Sequence, residues 1–326
     1  MLSNMQILPD KELFREAHLV TERVSQVILG KEQEVAEVML ALLAGGHILL
    51  EDIPGVGKTT LALSFSKALG LDYKRVQFTP DLMPSDLTGF SIYRKEEEKF
   101  VYQQGSIFCN LLLADEINRA LPKTQSALLE VMEEKQCTVD SVTRKLENPF
   151  LVIATQNPYG SAGTQVLPEA QMDRFMISMA LGYPDYDSEL RMLKSLEEKE
   201  SLYAAYPVIV KESFLKMQAE VCKVYISDAV YRYILDLVTH TRDFPELERG
   251  ASPRASIALV KMAQASAWYA GRDYVLPGDV RRQFAYIAAH RITAGRKIGG
   301  KRADKIEILN VLLKQVREPT VGAKKR

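Results

Sequence analysis

The sequence predicts an α/β protein in which a parallel sheet flanked by helices is followed by a smaller all-helical domain. Three observations carry that prediction. Short apolar runs such as "HILL" (47–50), "LLLA" (111–114) and "FLVIAT" (150–155) alternate with segments of helical periodicity, as parallel strands covered on both faces do. Around the first run the chain reads strand, glycine-rich loop, helix. After "LGYPD" (181–185) the apolar strand runs cease, and residues 186–326 read as mostly helical.

Taken in order, residues 12–29 place Leu13, Val20, Val24, Val27 and Ile28 at helical spacing. "ILGKEQ" (28–33) is a turn, and "EVAEVMLALLAG" is a second helix closed by Gly45. "HILL" is a short buried strand, and "TTLALSFSKALG" a helix ending at Gly70. "YKRVQFT" is the next strand, and "PDLMPSDLTGF" is rich in turn residues. "SIYRKEEEKFVYQQG" reads as two extended arms around a charged tip. A strand lies within "IFCNLLLADE", and Pro122 opens the helix "LPKTQSALLEVMEEK". "QCTVDSVTRKLE" is a second hairpin, "PFLVIATQNP" a buried strand and "PEAQMDRF" a short helix. In the second domain, "SPRASIALVKMAQASAWYAG" has Ser252 as N-cap, Pro253 at the first helical position and Gly271 past the end. The domain boundary is placed after residue 182, giving domains of 1–182 and 183–326.

A chain of 326 residues accommodates two domains of ~150 residues. Lys+Arg and Asp+Glu both number 42, so no overall basic field favours nucleic acid or an anionic membrane. Cys109, Cys137 and Cys222 are scattered, which argues against a disulfide framework or a zinc site. His18, His47, His240 and His290 have no metal-ligand spacing. The N-terminus lacks the basic and apolar regions of a signal peptide. The longest apolar stretch, "VMLALLAGGHILL", is too short and interrupted for the ~20 residues that span a bilayer. The expected location is cytoplasmic.

"EDIPGVGKTT" (51–60) is the segment richest in chemistry. It approaches the phosphate-loop pattern G-x-x-x-x-G-K-[ST], but Asp52 stands where the first glycine belongs. Strand, loop and helix supply the context that such a loop needs, with backbone N–H groups and a helix N-terminus facing the phosphates. Gly55 and Gly57 let the backbone come close, Lys58 reaches the β- and γ-phosphates, and the Thr59 hydroxyl can ligate Mg²⁺. Asp tolerates left-handed backbone better than most residues, so Asp52 is accommodated, with its carboxylate turned away from phosphate.

"LLLADE" (111–116) is an apolar strand ending in two acids, which parallel topology brings beside the loop. Asp115 would hold Mg²⁺, directly or through water. Glu116 would orient and deprotonate an attacking water. Asn157, at the tip of "FLVIATQNP", could position that water or simply cap the turn before Pro158.

These segments resemble an AAA+ ATPase and, more narrowly, the MoxR family. The resemblance runs over roughly residues 12–295 and rests on "LLEDIPGVGKTTLA", "VQFTPDLMPSDLTG", "LLLADEINRALPKTQSALLEVMEE", "PFLVIATQNP", "LPEAQMDRF", "SPRA" and "DVRR…HRI". It implies the AAA+ P-loop NTPase fold with a helical lid, ATP and Mg²⁺ as cofactors, and hydrolysis of ATP. By this resemblance Gly55, Val56, Gly57, Lys58, Thr59 and Thr60 form the Walker A loop. Asp115 and Glu116 are Walker B, with Thr59 and Asp115 on the metal. Asn157 becomes sensor 1, and Arg174 the arginine finger that reaches a neighbouring subunit. Arg254 becomes sensor 2, contacting the γ-phosphate from the lid. Ile28, Leu29 and Gly30 match the turn beside adenine. Arg119 competes as a trans arginine. From the residues alone, a surface ion pair is the favoured reading for both Arg174 and Arg119.

The two hairpins resemble the helix-2 insert (about 87–105) and the hairpin before sensor 1 (about 136–147) of this clade, which would face the channel of a ring. The resemblance implies a ring oligomer, a hexamer, acting as a chaperone for maturation of protein complexes. The partner it implies carries a von Willebrand factor A domain, whose D-x-S-x-S run is absent from this chain. A nucleic-acid motor or loader is the alternative, resting on the basic clusters at 296–302 and 324–326. A motor subunit of a metal chelatase is another.

Overall fold

The computed structural model describes residues 10–157, 167–195, 207–295 and 304–320. The two basic clusters lie outside them. Helices α1 (Lys11–Ser25) and α2 (Glu32–Leu43) come first, followed by β1 (Ile48–Glu51), α3 (Lys58–Ala68) and β2 (Tyr73–Gln77). A short α4 (Pro84–Thr88) leads into a hairpin of β3 (Gly89–Arg94) and β4 (Lys99–Gln104). Then come β5 (Leu111–Asp115), α5 (Pro122–Glu134), a hairpin of β6 (Gln136–Val139) and β7 (Val142–Lys145), and β8 (Leu151–Gln156). The short α6 (Glu169–Met172) and β9 (Ile177–Met179) complete this part. The remainder comprises α7 (Tyr186–Ser195), α8 (Lys211–Val221), α9 (Asp228–His240), β10 (Leu247–Arg249), α10 (Pro253–Tyr269), α11 (Pro277–Ala288), β11 (Thr293–Ala294) and α12 (Lys305–Gln315).

Five strands form one parallel sheet in the order β2-β5-β8-β1-β9. Successive residues of its central strands enter different cores, as the two-residue period requires. Leu50, Leu113 and Ile153 face α1–α3, whereas Leu49, Leu112 and Val152 face α5 and the hairpins. Burial on both faces explains why β5 reads as an unbroken apolar run. The first of these cores continues into the C-terminal helices through Phe214, Trp268 and Phe284, so α1 and α2 pack on both the sheet and the lid.

The N-cap of α10 is as the sequence predicts: Ser252 Oγ accepts from the Arg254 N–H at 3.2 Å, and Pro253 opens the helix. Three details were not foreseen. The turn-rich segment after β2 contains α4, the short strand β9 borders β1, and β10 and β11 form a small antiparallel ladder inside the helical region. Strands of two or three residues are too short to show a period. The two hairpins lie against each other, with Ser91 Oγ donating to Asp140 at 2.5 Å and the Arg144 guanidinium 3.7 Å over the Tyr102 ring. No helix among the described residues is long and apolar enough to cross a membrane.

Candidate functional site

The glycine loop joins β1 to α3 at the carboxyl end of the sheet, where β1 lies between β8 and β9 and the chain order reverses. Gly57 is the N-cap of α3, with φ of 92°, and Gly55 has φ of 88°. A Cβ at either would meet nothing within 4 Å, so glycine is required here by backbone conformation rather than by crowding.

Asp52 is held in a way the sequence did not suggest. It is not among the residues with positive φ, so tolerance of left-handed backbone is not why an acid stands here. Its carboxylate is a buried clasp. Oδ2 accepts from the N–H groups of Leu181 and Gly182, both at 2.7 Å, and Oδ1 accepts from the Ile53 N–H at 2.8 Å. The charge therefore points away from the loop, toward the end of β9. Lys58 Nζ donates to the carbonyls of Asp52 (2.8 Å) and Ile53 (2.9 Å), folding back over the loop it follows. Burial lowers the Lys58 pKa, and the nearby Asp52, Asp115 and Glu116 charges oppose that shift.

A cavity of about 380 Å³ opens beside the loop, a volume suited to part of a small ligand. Gly55, Gly57, Lys58, Thr59 and Thr60 line one wall. Asp115, Glu116 and Asn157 line the other, joined by Arg75 and Gln77. Asp115 Oδ1 accepts from the Thr155 hydroxyl at 2.7 Å, and that hydroxyl accepts from the Glu116 N–H at 2.8 Å. Asp115 Oδ2 accepts from Arg75 Nη2 at 2.7 Å. Glu116 has left-handed backbone, φ of 55° and ψ of 49°, where β5 ends. Its Oε2 accepts from Gln77 Nε2 at 3.1 Å and from Arg119 Nη1 at 2.6 Å. Arg119 is thus paired within its own chain.

Val56, Ile28, Leu29 and Gly30 do not line this cavity. Gly30 has φ of 71°, and a Cβ there would lie 2.3 Å from Ser188 Oγ and 2.8 Å from Asp185 Oδ2. The turn at 28–30 is thereby pressed against the start of α7, close after the Gly182 that Asp52 clasps. Arg174 and Arg254 also lie outside the cavity lining, and they sit together. Arg174 Nε donates to Glu133 Oε2 at 3.0 Å, and Arg254 Nη2 pairs with Glu133 Oε1. Behind them, Asp173 accepts from Ser252 Oγ (2.9 and 2.8 Å) and from Arg291 Nε at 2.8 Å. Arg291 is buried; it also donates to the carbonyls of Met176 and Ile287, and burial lowers its pKa to about 10.

Sequence reasoning passed over Arg75, Gln77, Thr155 and Glu133. A signal existed for the first two. "YKRVQ" puts polar residues at alternate positions of a strand, and Gln77 pairs in register with Asp115. Both therefore share the face and the end of the sheet where Asp115 lies.

Comparison with known proteins is consistent with this geometry. The family described as ATPase family associated with various cellular activities (AAA) matches residues 47–177, and the AAA lid domain matches residues 239–309. Chaperone MoxR1 of Mycobacterium tuberculosis is 36% identical over 316 residues, covering 92% of this chain and 81% of that protein. The chain belongs to the MoxR family of AAA+ ATPases. The Bacillus subtilis protein YeaC is another relative, 48% identical over 271 residues, covering 83% of this chain and 85% of YeaC. Protein MoxR of Paracoccus denitrificans is 32% identical, covering 86% of this chain and 88% of its own. A solved crystal structure of a candidate ATPase from Cytophaga hutchinsonii superimposes with a TM-score of 0.88 at 38% identity, covering 94% of this chain and 96% of that one. Nucleotide binding and, as a general activity, ATP hydrolysis follow for this MoxR-family chain.

Proposed function

We propose that this chain is a Mg²⁺-dependent ATPase that remodels or matures a partner protein complex from within a ring of its own copies, together with a protein carrying a von Willebrand factor A domain. The observation that carries the reading is the convergence of Lys58, Thr59, Asp115, Glu116 and Asn157 on one cavity. The donor set fits Mg²⁺: a threonine hydroxyl and one carboxylate are hard oxygen ligands, and such sites are completed by phosphates and water. When bound, the metal would neutralise phosphate charge. Lys58 would exchange the two loop carbonyls for phosphate oxygens. Glu116, released from Gln77 and Arg119, would take the proton of the attacking water, with Asn157 orienting that water. The turn at Ile28, Leu29 and Gly30 is assigned to the adenine side, with Val56 in the loop. The division into nucleotide-binding domain (1–182) and lid (183–326) is placed at the turn that Asp52 clasps.

Arg174 and Arg254 share one carboxylate and lie outside their own chain's cavity lining. That supports joint delivery of the pair to the site of a neighbouring subunit, where an arginine finger contributes ~10³–10⁵ in rate. For Arg254 the resemblance implied a γ-phosphate contact from the lid; this reading makes that phosphate the neighbour's. The first hairpin exposes Phe90 and Ile92 on one face and the paired Tyr93 and Phe100 on the other, apolar side chains that a client could meet.

Mixing tests the shared site. Arg174→Ala and Glu116→Gln subunits, each inactive alone, should regain turnover together because each supplies the half that the other lacks. No recovery at any ratio would remove the trans arginine. Glu116→Gln protein held in ATP should also retain its partner on purification. Recovery of salt-sensitive nucleic acid and no protein would instead favour the motor reading.

A further inference from the structure

Arg75 occupies a position that the roles above do not use. It stands on β2 with its side chain half exposed (48%) at the edge of the cavity, while the Asp115 side chain that it grips is nearly buried (11%). Nε at 3.2 Å and Nη2 at 2.7 Å both donate to the same oxygen, Asp115 Oδ2. The other oxygen, Oδ1, is taken by Thr155, which is fully buried. Of the two Asp115 oxygens, the one not tied to a buried side chain is therefore the one Arg75 holds.

A structural arginine looks different in this molecule. Arg291 is buried and ties several backbone carbonyls together. Arg75 bonds no backbone group among the hydrogen bonds described; beyond Asp115 it reaches only the side-chain oxygen of Gln77, at 3.3 Å. Its grip is on the carboxylate, and it can let go without unmaking the fold. A guanidinium cannot shed its charge near neutral pH, so it and a divalent cation cannot share one oxygen without strong repulsion.

We propose that Arg75 is a tethered cation that competes with the divalent metal for Asp115 Oδ2 and so sets the metal concentration at which the site fills. The inference rests on the reading of Asp115 as a metal residue. To load the metal, the guanidinium must swing off Oδ2, and phosphate oxygens in the same cavity give it somewhere to go.

The test uses Mn²⁺, a hard divalent ion that can be counted free in solution by electron paramagnetic resonance. It is titrated into the full chain loaded with a non-hydrolysable ATP analogue. Arg75→Gln should bind Mn²⁺ about tenfold more tightly than the parent, the scale of one charge-assisted hydrogen-bonded pair. Arg75→Lys keeps the charge but loses the two-nitrogen fork and should tighten by about threefold; it decides the matter if the Gln variant does not fold. Equal or weaker Mn²⁺ binding in a folded Arg75 variant overturns the proposal, because an arginine that merely orients Asp115 would weaken metal binding when lost. Asp115→Asn separates the two failures. If it binds Mn²⁺ as well as the parent, the metal assignment of Asp115 falls. If it binds poorly while the Arg75 variants are unchanged, only the competition falls.

Discussion

His47, just before the strand that leads into the nucleotide loop, is expected to make this protein acid-sensitive. The ring sits one residue before β1, buried against α5 and β8. Nδ1 accepts from the Val152 N–H at 3.0 Å, and Nε2 lies 3.1 Å from the Met132 carbonyl. A backbone N–H can only donate, so Nδ1 carries no proton and Nε2 donates to Met132. A second proton would have to go on Nδ1, directly against that N–H. Burial, opposed weakly by the Met132 carbonyl, lowers the pKa from 6.5 to about 4. The folded state therefore refuses a proton that the unfolded chain accepts. Above the unfolded pKa both states are neutral and stability is complete. As pH falls from 6.5 toward 4, stability is lost, by about 3 kcal/mol in all from this one group. His290, buried where the lid meets the Phe175 carbonyl and shifted well down by burial, adds a loss of the same sign. The assay is urea unfolding between about pH 7 and pH 4, comparing the parent with His47→Gln, whose amide can donate and accept without titrating. Carboxylates titrate alike in both proteins and cancel. The stability gap between parent and variant should shrink by roughly 2–3 kcal/mol on acidification. A gap that does not change with pH would refute the tautomer and the burial argument together.

Two further predictions concern the clasps around the site. Asp52→Gly restores the commoner loop glycine, yet should destabilise the protein by about 2–4 kcal/mol, since the N–H groups of Leu181 and Gly182 lose their charged acceptor. Urea unfolding measures this, and an equally stable variant would show that the clasp is dispensable. Arg291→Met should cost about 3–5 kcal/mol, because Asp173 is left without its buried partner; a loss below about 1 kcal/mol in the same assay would count against the bridge.

Much of the fold was legible because the informative segments are long or buried on both sides. β5 and β8 are continuous apolar runs, α10 carries a cap, a proline and a closing glycine, and the loop lies between a strand and a helix. β9, β10 and β11 were not legible, since two or three residues define no period. In the site, Lys58, Thr59, Asp115 and Glu116 announced themselves by spacing. Arg75 and Thr155 did not, because their roles depend on sheet order: β2, β5 and β8 are adjacent in space but dispersed in sequence. The purpose of Asp52 was hidden for the same reason. Its partners, Leu181 and Gly182, are about as far from it along the chain as β9 is from β1, and only the pairing of those strands brings them together.

The clasps also say how the two arginines are kept in register. Asp173 immediately precedes Arg174, and Ser252 lies two residues before Arg254. Ser252 donates to both oxygens of Asp173, and Arg291 fastens the same carboxylate to the lid. In front, Glu133 on α5 accepts from both guanidinium groups. Each arginine is therefore fixed at its base by the contact between lid and sheet and at its tip by one exposed carboxylate. Exposed pairs are weak, ~0–1 kcal/mol, while the buried one is not, so the tips can be released without disturbing the bases. An arginine pair held firmly behind and loosely in front is suited to exchange Glu133 for a stronger anion. A neighbouring subunit's phosphates would supply one. If the pair acts on a neighbour as proposed, lid docking, rather than either arginine alone, would determine whether the two arrive together.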